Sequence, residues 1–319
     1  MNMSSANVEI LLLTYNQRPL LDDLLRSLVA QTHPDWRIIA RDDGSSDGTL
    51  GQLMEFSARH PQRMKVLVED RARNLGIVEG FSRLLQAGAA PYSMLCDCDD
   101  VWLPHKVEQT LAYMKQLERR RSPETPLLVH TDLRVTDSSL ATVSDSFLRH
   151  QNLDPRRGRS LNRLLVQNCI TGCTVMINKP LRELSLPIPP EAAMHDWWLA
   201  LVAAAFGTIG FAPEPTILYR QHKENAIGAR EWNAPYVLQK LRRFRDDTQD
   251  LRRSLETTAR QAEALLARYQ DKLDRDQRRI LSAYISLPRA GWFSRRARIL
   301  RYRLFKHGLI RNVSWVARA

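Results

Sequence analysis

Three carboxylates fall within four positions at Asp97-Cys98-Asp99-Asp100, directly after the apolar run 92–96. In a strand alternate residues share a face, so Asp97 and Asp99 are expected to point the same way. Carboxylates held that close repel each other unless a cation sits between them. A hard divalent ion such as Mg²⁺ suits them, because it binds through one or two carboxylates and completes its shell with water and phosphate. Pro104 then fits the first turn of a helix running through residue 111. The acids are thus expected at the carboxyl end of a strand, where open α/β sheets bind ligands. The plain alternative is a solvated acidic turn with a helix cap.

Other segments aim polar groups at the same edge. The apolar run 8–14 predicts a buried first strand that ends in Thr14, Tyr15 and Asn16. Apolar residues at 20, 21, 24, 25, 28 and 29 predict a helix over 20–31. A second strand over 36–40 runs into Asp42 and Asp43. Gly44 permits a left-handed turn there, and Ser46 or Asp47 can cap a helix reaching about residue 59. A third strand over 64–68 leads to a polar loop with Arg71 and Asn74, then a helix over 78–87. The acidic strand is fourth. Such alternation predicts an α/β fold, with a mostly parallel sheet and helices on both faces.

Beyond residue 121 the pattern changes. Strands are expected over 127–135 and 173–178, with a polar loop over 145–159. Met194-His195-Asp196-Trp197-Trp198 opens an apolar helix to 205, and strands follow near 209–212 and 217–222. From about residue 229 the chain reads as helical, clearest over 236–268.

The converging groups outline a nucleotide-sized site with no Walker loop and no G-x-G-x-x-G turn. A pyrophosphate there has no glycine cradle. It must be met by a metal on the aspartates and a cation such as Arg71. That suits a nucleoside diphosphate carried as a leaving group.

The chain of 319 residues is 44% hydrophobic and 26% charged, an ordinary globular composition. Its net charge of +12 is uneven: residues 230–319 hold 22 Lys and Arg against 9 Asp and Glu. No acid follows Asp276, whereas 11 basic residues do. The N-terminus does not read as a signal peptide, and the longest apolar run, 197–206, is too short to span a bilayer. A cytoplasmic protein, soluble or bound to the inner membrane surface, is expected. The four cysteines, at 96, 98, 169 and 173, read as plain thiols, since neither spacing suits zinc and a cytosolic chain rarely forms disulfides.

Taken in order, Thr14-Tyr15-Asn16, the run Asp42-Asp43-Gly44-Ser45-Ser46-Asp47-Gly48-Thr49, Arg73-Asn74-Leu75-Gly76, Asp97-Cys98-Asp99-Asp100-Val101-Trp102 and His195-Asp196 resemble the family-2 glycosyltransferases of GT-A fold. The resemblance covers about residues 7–228. The D-x-D-D-x-W form, with Tyr219-Arg220-Gln221-His222, Asn225 and Gly228, resembles the rhamnosyltransferase-like branch. It implies a Rossmann-like catalytic domain over 1–228 and a basic helical extension over 229–319. It also implies a metal-dependent, inverting transferase of the hexosyltransferase type, acting in cell-surface polysaccharide synthesis.

Carried over residue by residue, the resemblance puts Thr14 and Tyr15 in the base pocket and lets Asp43 accept the imide N–H of uracil or thymine. Arg71 falls where the family contacts the sugar nucleotide, beside Asn74. Asp97 reaches the ribose or the metal, Asp99 binds Mg²⁺ or Mn²⁺, and His222 approaches the metal or diphosphate. Asp196 is the implied base. The implied partners are a dTDP or UDP sugar and a glycan or lipid-linked acceptor.

Read without the family, Asp196 is a helix-start acid of the kind that commonly caps. The basic, apolar-interleaved run 294–306 suits an interfacial helix on an anionic membrane, or an ordinary packed helix with a solvated face. A nucleic-acid-binding protein would leave the clustered aspartates unexplained, because they repel phosphates. A nucleotidyltransferase would need a glycine- and lysine-rich loop that 14–20 lacks. A non-catalytic homologue is the remaining rival.

Overall fold

The computed structural model describes residues 7–68, 74–222 and 246–318. The first half alternates as expected. β1 (Val8–Thr14), α1 (Arg18–Val29), β2 (Trp36–Asp42), α2 (Thr49–Arg59), β3 (Met64–Leu67), α3 (Gly76–Ala87) and β4 (Tyr92–Cys96) come in turn. Then follow β5 (Val101–Trp102), α4 (Lys106–Glu118), β6 (Leu127–Thr136), β7 (Thr142–Ser144), α5 (Phe147–His150) and α6 (Leu161–Val166). β8 (Val175–Asn178), α7 (Lys179–Ser185), α8 (His195–Phe206) and β9 (Thr208–Arg220) complete the sheet region. The later helices are α9 (Asp246–Tyr269), α10 (Arg275–Ile285), α11 (Trp292–Arg301) and α12 (Leu309–Arg318).

The described strands form one sheet in the order β3-β2-β1-β4-β8-β6-β9-β5, with β7 on β6. β3, β2, β1 and β4 are parallel neighbours. Their carboxyl ends therefore share one edge, and Thr14 lies opposite Asp42 in the β1–β2 register. β8 runs antiparallel to both β4 and β6. Every residue of β1 is buried. Ile10 and Leu12 face one core cluster, and Leu11 and Leu13 face the other. That two-sided burial explains a continuous apolar run where a half-exposed strand would alternate.

Several expectations shift. β4 ends at Cys96, so the strand alternation invoked for Asp97 and Asp99 does not reach them. They lie in the turn between β4 and β5, where backbone direction is no longer pleated. Pro104 precedes the N-cap residue His105 and stands outside the helix. The two strands expected near 209–212 and 217–222 are one 13-residue β9, with register shifts against β6 around Asp132. The 145–159 stretch contains α5, whose N-cap Ser146 accepts from the Arg149 N–H. Cys173 sits in a 3₁₀ turn before β8. All four cysteines are free. The expected 236–268 helix begins at Asp246 among the described residues.

The C-terminal helices share the core around α8. Leu255, Ala262, Leu265, Tyr269, Leu281, Tyr284, Ile299 and Trp315 are buried in one cluster with Leu164, Trp198 and Leu201. Trp198 stacks near Tyr269, with ring centroids 6.3 Å apart. Among the described residues no helix is long and apolar enough to cross a membrane.

Candidate active site

The edge where β1, β2 and β4 end is built from turns that use their polar side chains internally. Thr14 Oγ1 donates to Asp42 Oδ1 at 3.0 Å, and Asp42 also accepts from the Ser45 N–H and hydroxyl. Asn16 sits at a φ of 50°. It accepts the Ser46 N–H at 2.9 Å, while its own N–H donates to Ser45 Oγ. Gly44 and Gly48, at φ of 86° and 94°, take left-handed turns as the sequence suggested for Gly44. Asp47 accepts from the Arg18 N–H and from the Thr49 N–H and hydroxyl, which pins the start of α2 to that of α1.

Asp43 is 2% exposed. Its two oxygens accept the Leu75 and Gly76 N–H groups at 2.9 and 2.8 Å, an anion at the start of α3 where the helix dipole favours it. Tyr15 is half exposed beside this floor. Asn74 is exposed and accepts the Gly76 N–H. Arg71, Arg73, Asn225 and Gly228 lie outside the described residues.

The acidic turn carries a concentrated negative charge. Asp100 is fully buried, and its carboxylate is met by the Cys173 thiol and the Arg220 N–H. Ligand atoms of Asp97, Asp100 and Cys173 lie within 4.8 Å of one another. Burial, then the neighbouring carboxylates, pushes both Asp97 and Asp100 above the usual range. A half-buried and a buried acid that repel each other at this distance fit a divalent cation. Burial raises the Cys173 thiol well above its ordinary value, so the two carboxylates are the better ligands for a hard ion. Asp99 faces a different partner: its Oδ2 is 2.9 Å from His222 Nε2. The structure thus brings Asp99 and His222 together, beside Asp97.

Sequence reading passed over Lys106. It is fully buried, with Nζ 4.4 Å from the Trp102 ring centroid and no hydrogen-bond partner. Burial pushes it down to about 8, against the pull of Cys173, Cys96, Asp100 and Asp97. Its signal was available: it is the first residue of α4, where the helix dipole opposes a cation unless acids hold it there. Removing one partner of a buried charge set costs about 3–5 kcal/mol. Lys106→Met is therefore expected to lower the melting temperature by several degrees, with part of the loss regained in Mg²⁺ or Mn²⁺. A loss that divalent ions leave unchanged would separate Lys106 from the acidic cluster.

Asp196 is the second residue of α8, one place inside the N-terminus, and the N-cap position belongs to Met194. The helix dipole and the Trp197 and Gly172 N–H groups favour its anion. Burial opposes them and wins, and the carboxyl is pushed up to about 7. Gly172 allows this approach: a Cβ there would lie 3.0 Å from His195 Nε2 and 3.4 Å from Asp196 Oδ2. Asn168 Nδ2 reaches Asp196 Oδ1 at 3.5 Å. His195 stacks on Phe81, centroids 3.9 Å apart, and burial drives it down to about 3, which keeps it a neutral packing group. The adjacent tryptophans divide their tasks. Trp198 is fully buried and donates to Ser185 O, whereas Trp197 donates to Leu164 O and lines a cavity.

That cavity has a volume of about 640 Å³ and includes Asn168, Thr171, Asp196 and Tyr219 in its wall. The Asp97 carboxylate feels that of Asp196 electrostatically, so the acidic turn and the cavity floor are neighbours. One edge of the sheet therefore presents a polar floor, an acidic cluster suited to a cation, and an ionisable carboxyl facing an open cavity.

The sequence profile described as glycosyl transferase family 2 matches residues 9–184. An uncharacterised protein of Mycobacterium tuberculosis is 30% identical over 233 residues, which is 72% of this chain and 62% of that one. The chain thus spans less than two thirds of the length of this relative. A dTDP-rhamnosyl transferase of Shigella flexneri is 26% identical over 227 residues, covering 68% of this chain and 73% of that one. The solved structure of a mannosyltransferase from Pyrobaculum calidifontis, in complex with GDP-mannose and Mn²⁺, superimposes with a TM-score of 0.56 at 17% identity. It covers 98% of this chain and 79% of its own, and it carries the GT-A fold.

Proposed function

Because the chain belongs to glycosyl transferase family 2, we propose that it moves a sugar from a nucleoside-diphosphate donor to a hydroxyl of a cell-surface glycan or its lipid-linked precursor, with inversion at the anomeric carbon. The observation that carries this reading is Asp196: a buried carboxyl, pushed up to about 7, in a cavity beside the acidic turn.

In this reading the donor nucleotide lies on the floor made by Thr14, Tyr15 and Asp43, and its diphosphate faces Asp97, Asp99 and Asp100. Asp97 and Asp100, with Asp99 and His222 adjacent, are the residues suited to hold Mg²⁺ or Mn²⁺. Bound there, the ion would neutralise charge on the departing diphosphate, worth several kcal/mol. The Mn²⁺ in the Pyrobaculum complex supports the use of a divalent ion, and the Shigella relative's name supports dTDP-rhamnose as the first donor to try.

Asp196 takes the proton from the acceptor hydroxyl as its oxygen attacks the anomeric carbon and the bond to the diphosphate breaks. A single in-line displacement leaves no covalent intermediate, so no second nucleophile is needed. Trp197 and Tyr219 shape the space in which the acceptor sits. We place the protein at the cytoplasmic face of the membrane, where such acceptors and activated sugars meet.

The test is a thermal-shift screen with dTDP, UDP and GDP and their sugars, each with and without Mn²⁺ or Mg²⁺. Binding to the folded state alone must raise the melting temperature. A metal-dependent rise selective for one base supports the reading and identifies the donor. No rise with any nucleotide at millimolar concentration argues for a non-catalytic homologue.

A pH dependence follows from Asp196. Only its ionised form accepts a proton, and the carboxyl titrates near 7. The kcat/KM for the acceptor should be flat above that pH and fall about tenfold per unit below it. A rate still level at pH 5.5 would exclude a base with this pKa.

A further inference from the structure

We propose that α10 and α11 form a docking face for an anionic membrane surface, with an arginine groove that takes lipid phosphates and two exposed aromatic rings that enter the headgroup layer. The inference rests on the membrane placement proposed above and gives it a face, and vesicle binding tests it without any sugar transfer.

The groove between α10 and α11 has a volume of about 690 Å³. Arg275, Arg278 and Arg279 line it from α10, where their spacing puts them on one helix face. Arg298 and Arg301 line it from α11. Among the described residues no Asp or Glu belongs to the lining. Outside it, Asp276 lies 3.5 Å from Arg279, but the two side chains are 84% and 51% exposed, so water screens the pair. Arg278 gives an N–H to Gln270 O at 3.0 Å, which orients its guanidinium. Arg301 lies 5.7 Å from the Tyr302 ring centroid. Guanidinium groups gathered in this way bind phosphate oxygens through charge-assisted, bidentate hydrogen bonds.

α11 adds an apolar edge to the groove. Trp292, Phe293 and Leu300 are 59%, 81% and 59% exposed. Phe293 stands one turn before Ala297 and two before Arg301, which both line the groove, so it lies on the groove side of the helix. Trp292 meets the Phe293 ring edge-on, with centroids 4.7 Å apart. The inward face of the same helix is already used, since Ile299 is buried in the core. With Leu309, Ile310 and Val313 of α12, these residues make six of the twelve exposed large apolar side chains among the described residues. Such a concentration within 22 positions marks a binding surface. A second copy of the chain would set arginines against arginines. A nucleic acid would use the arginines and leave the aliphatic side chains in water. An anionic bilayer uses both, because basic residues are drawn to its surface and aromatic rings settle among its headgroups. Arg296 Nη2 donates to Ala317 O at 2.7 Å and ties α11 to α12, which lines the cavity that holds Asp196. Docking through α11 therefore keeps that cavity close to the membrane.

The test is co-sedimentation of the full chain with vesicles of phosphatidylcholine alone and of phosphatidylcholine mixed with phosphatidylglycerol. The chain should bind the mixed vesicles, bind the neutral ones at least about tenfold more weakly, and be released by salt. Arg298→Gln combined with Arg301→Gln should weaken binding about twentyfold, and Arg298→Lys combined with Arg301→Lys should restore most of it. Trp292→Ser combined with Phe293→Ser should weaken it about tenfold or more. Phe293 and Arg301 are exposed, and the lysine pair and the melting temperatures of all variants guard against misfolding. Equal binding to neutral and anionic vesicles overturns the arginine groove. Binding that both the glutamine and the serine pairs retain overturns this face. A chain that ignores both kinds of vesicle but binds a short duplex RNA, and loses it in the glutamine pair, overturns the membrane in favour of nucleic acid. No nucleotide enters these assays, so a failure of the transferase reading is seen separately, in the thermal-shift screen.

Discussion

Asp196→Asn is expected to reduce sugar transfer by about 10²–10⁴-fold, the usual contribution of a well-placed general base. The amide keeps the shape of the side chain and can still accept from the Trp197 and Gly172 N–H groups, so the fold should survive. Nucleotide binding should be unchanged, because the side chain lines the cavity and the nucleotide floor is made elsewhere. The loss should therefore appear in the turnover rate, with the donor KM moving little. Stability offers an independent check. A carboxyl whose pKa rises on folding favours the folded state in its protonated form, so it disfavours folding as pH rises from its ordinary range through about 7. Asp196→Asn removes that penalty, and the variant should melt at or above the wild-type temperature at pH 8. A variant that melts lower and transfers sugar at the wild-type rate would remove Asp196 from the chemistry altogether.

Chelation of divalent ions is expected to produce the second large effect. Without a cation, a diphosphate must approach Asp97, Asp99 and Asp100 against their charge. A loss of several kcal/mol corresponds to about 10²–10³-fold in rate. Asp99→Ala should reproduce much of it at limiting metal and respond in part to excess Mn²⁺, because Asp97 and Asp100 remain. The measurement is transfer rate against metal concentration for wild type and variant. Full activity in excess chelator would sink the metal reading of the acidic turn. It would leave Lys106 as the cation of that cluster.

The parallel half of the sheet was legible because β1, β2 and β4 are short, apolar and bounded by polar turns, and local pattern suffices for such elements. The GT-A architecture followed from the resemblance carried by the same turns. Asp99 and His222 were singled out separately, and the fold sets them 2.9 Å apart. What sequence could not supply was partnership. Asp97 and Asp99 look paired by alternation, yet β4 stops at Cys96, and it is Asp100 that joins Asp97 through Cys173, 73 positions away. Asp43 was chosen by its place in a motif, but nothing local shows that it holds the start of α3. The C-terminal segment was ambiguous for a physical reason. Arginines interleaved with apolar residues over 294–306 describe an interfacial helix and an ordinary packed helix equally well, and only tertiary packing shows that Ile299 and Leu304 turn inward while Leu300 does not.

The shared core around α8 bears on the order of events during synthesis. Trp198 and Leu201 are covered by Leu255, Leu265, Tyr269 and Tyr284, which leave the ribosome some fifty to eighty residues later at about 5–20 residues per second. For those seconds a nascent chain holds the joined ends of β1, β2 and β4 with an uncovered indole and its leucines. The early half is then a natural client for a chaperone, and the helix that positions Asp196 locks only when the later helices arrive. On the proposed reading, a half-made chain would thus bind nucleotide before it could use one.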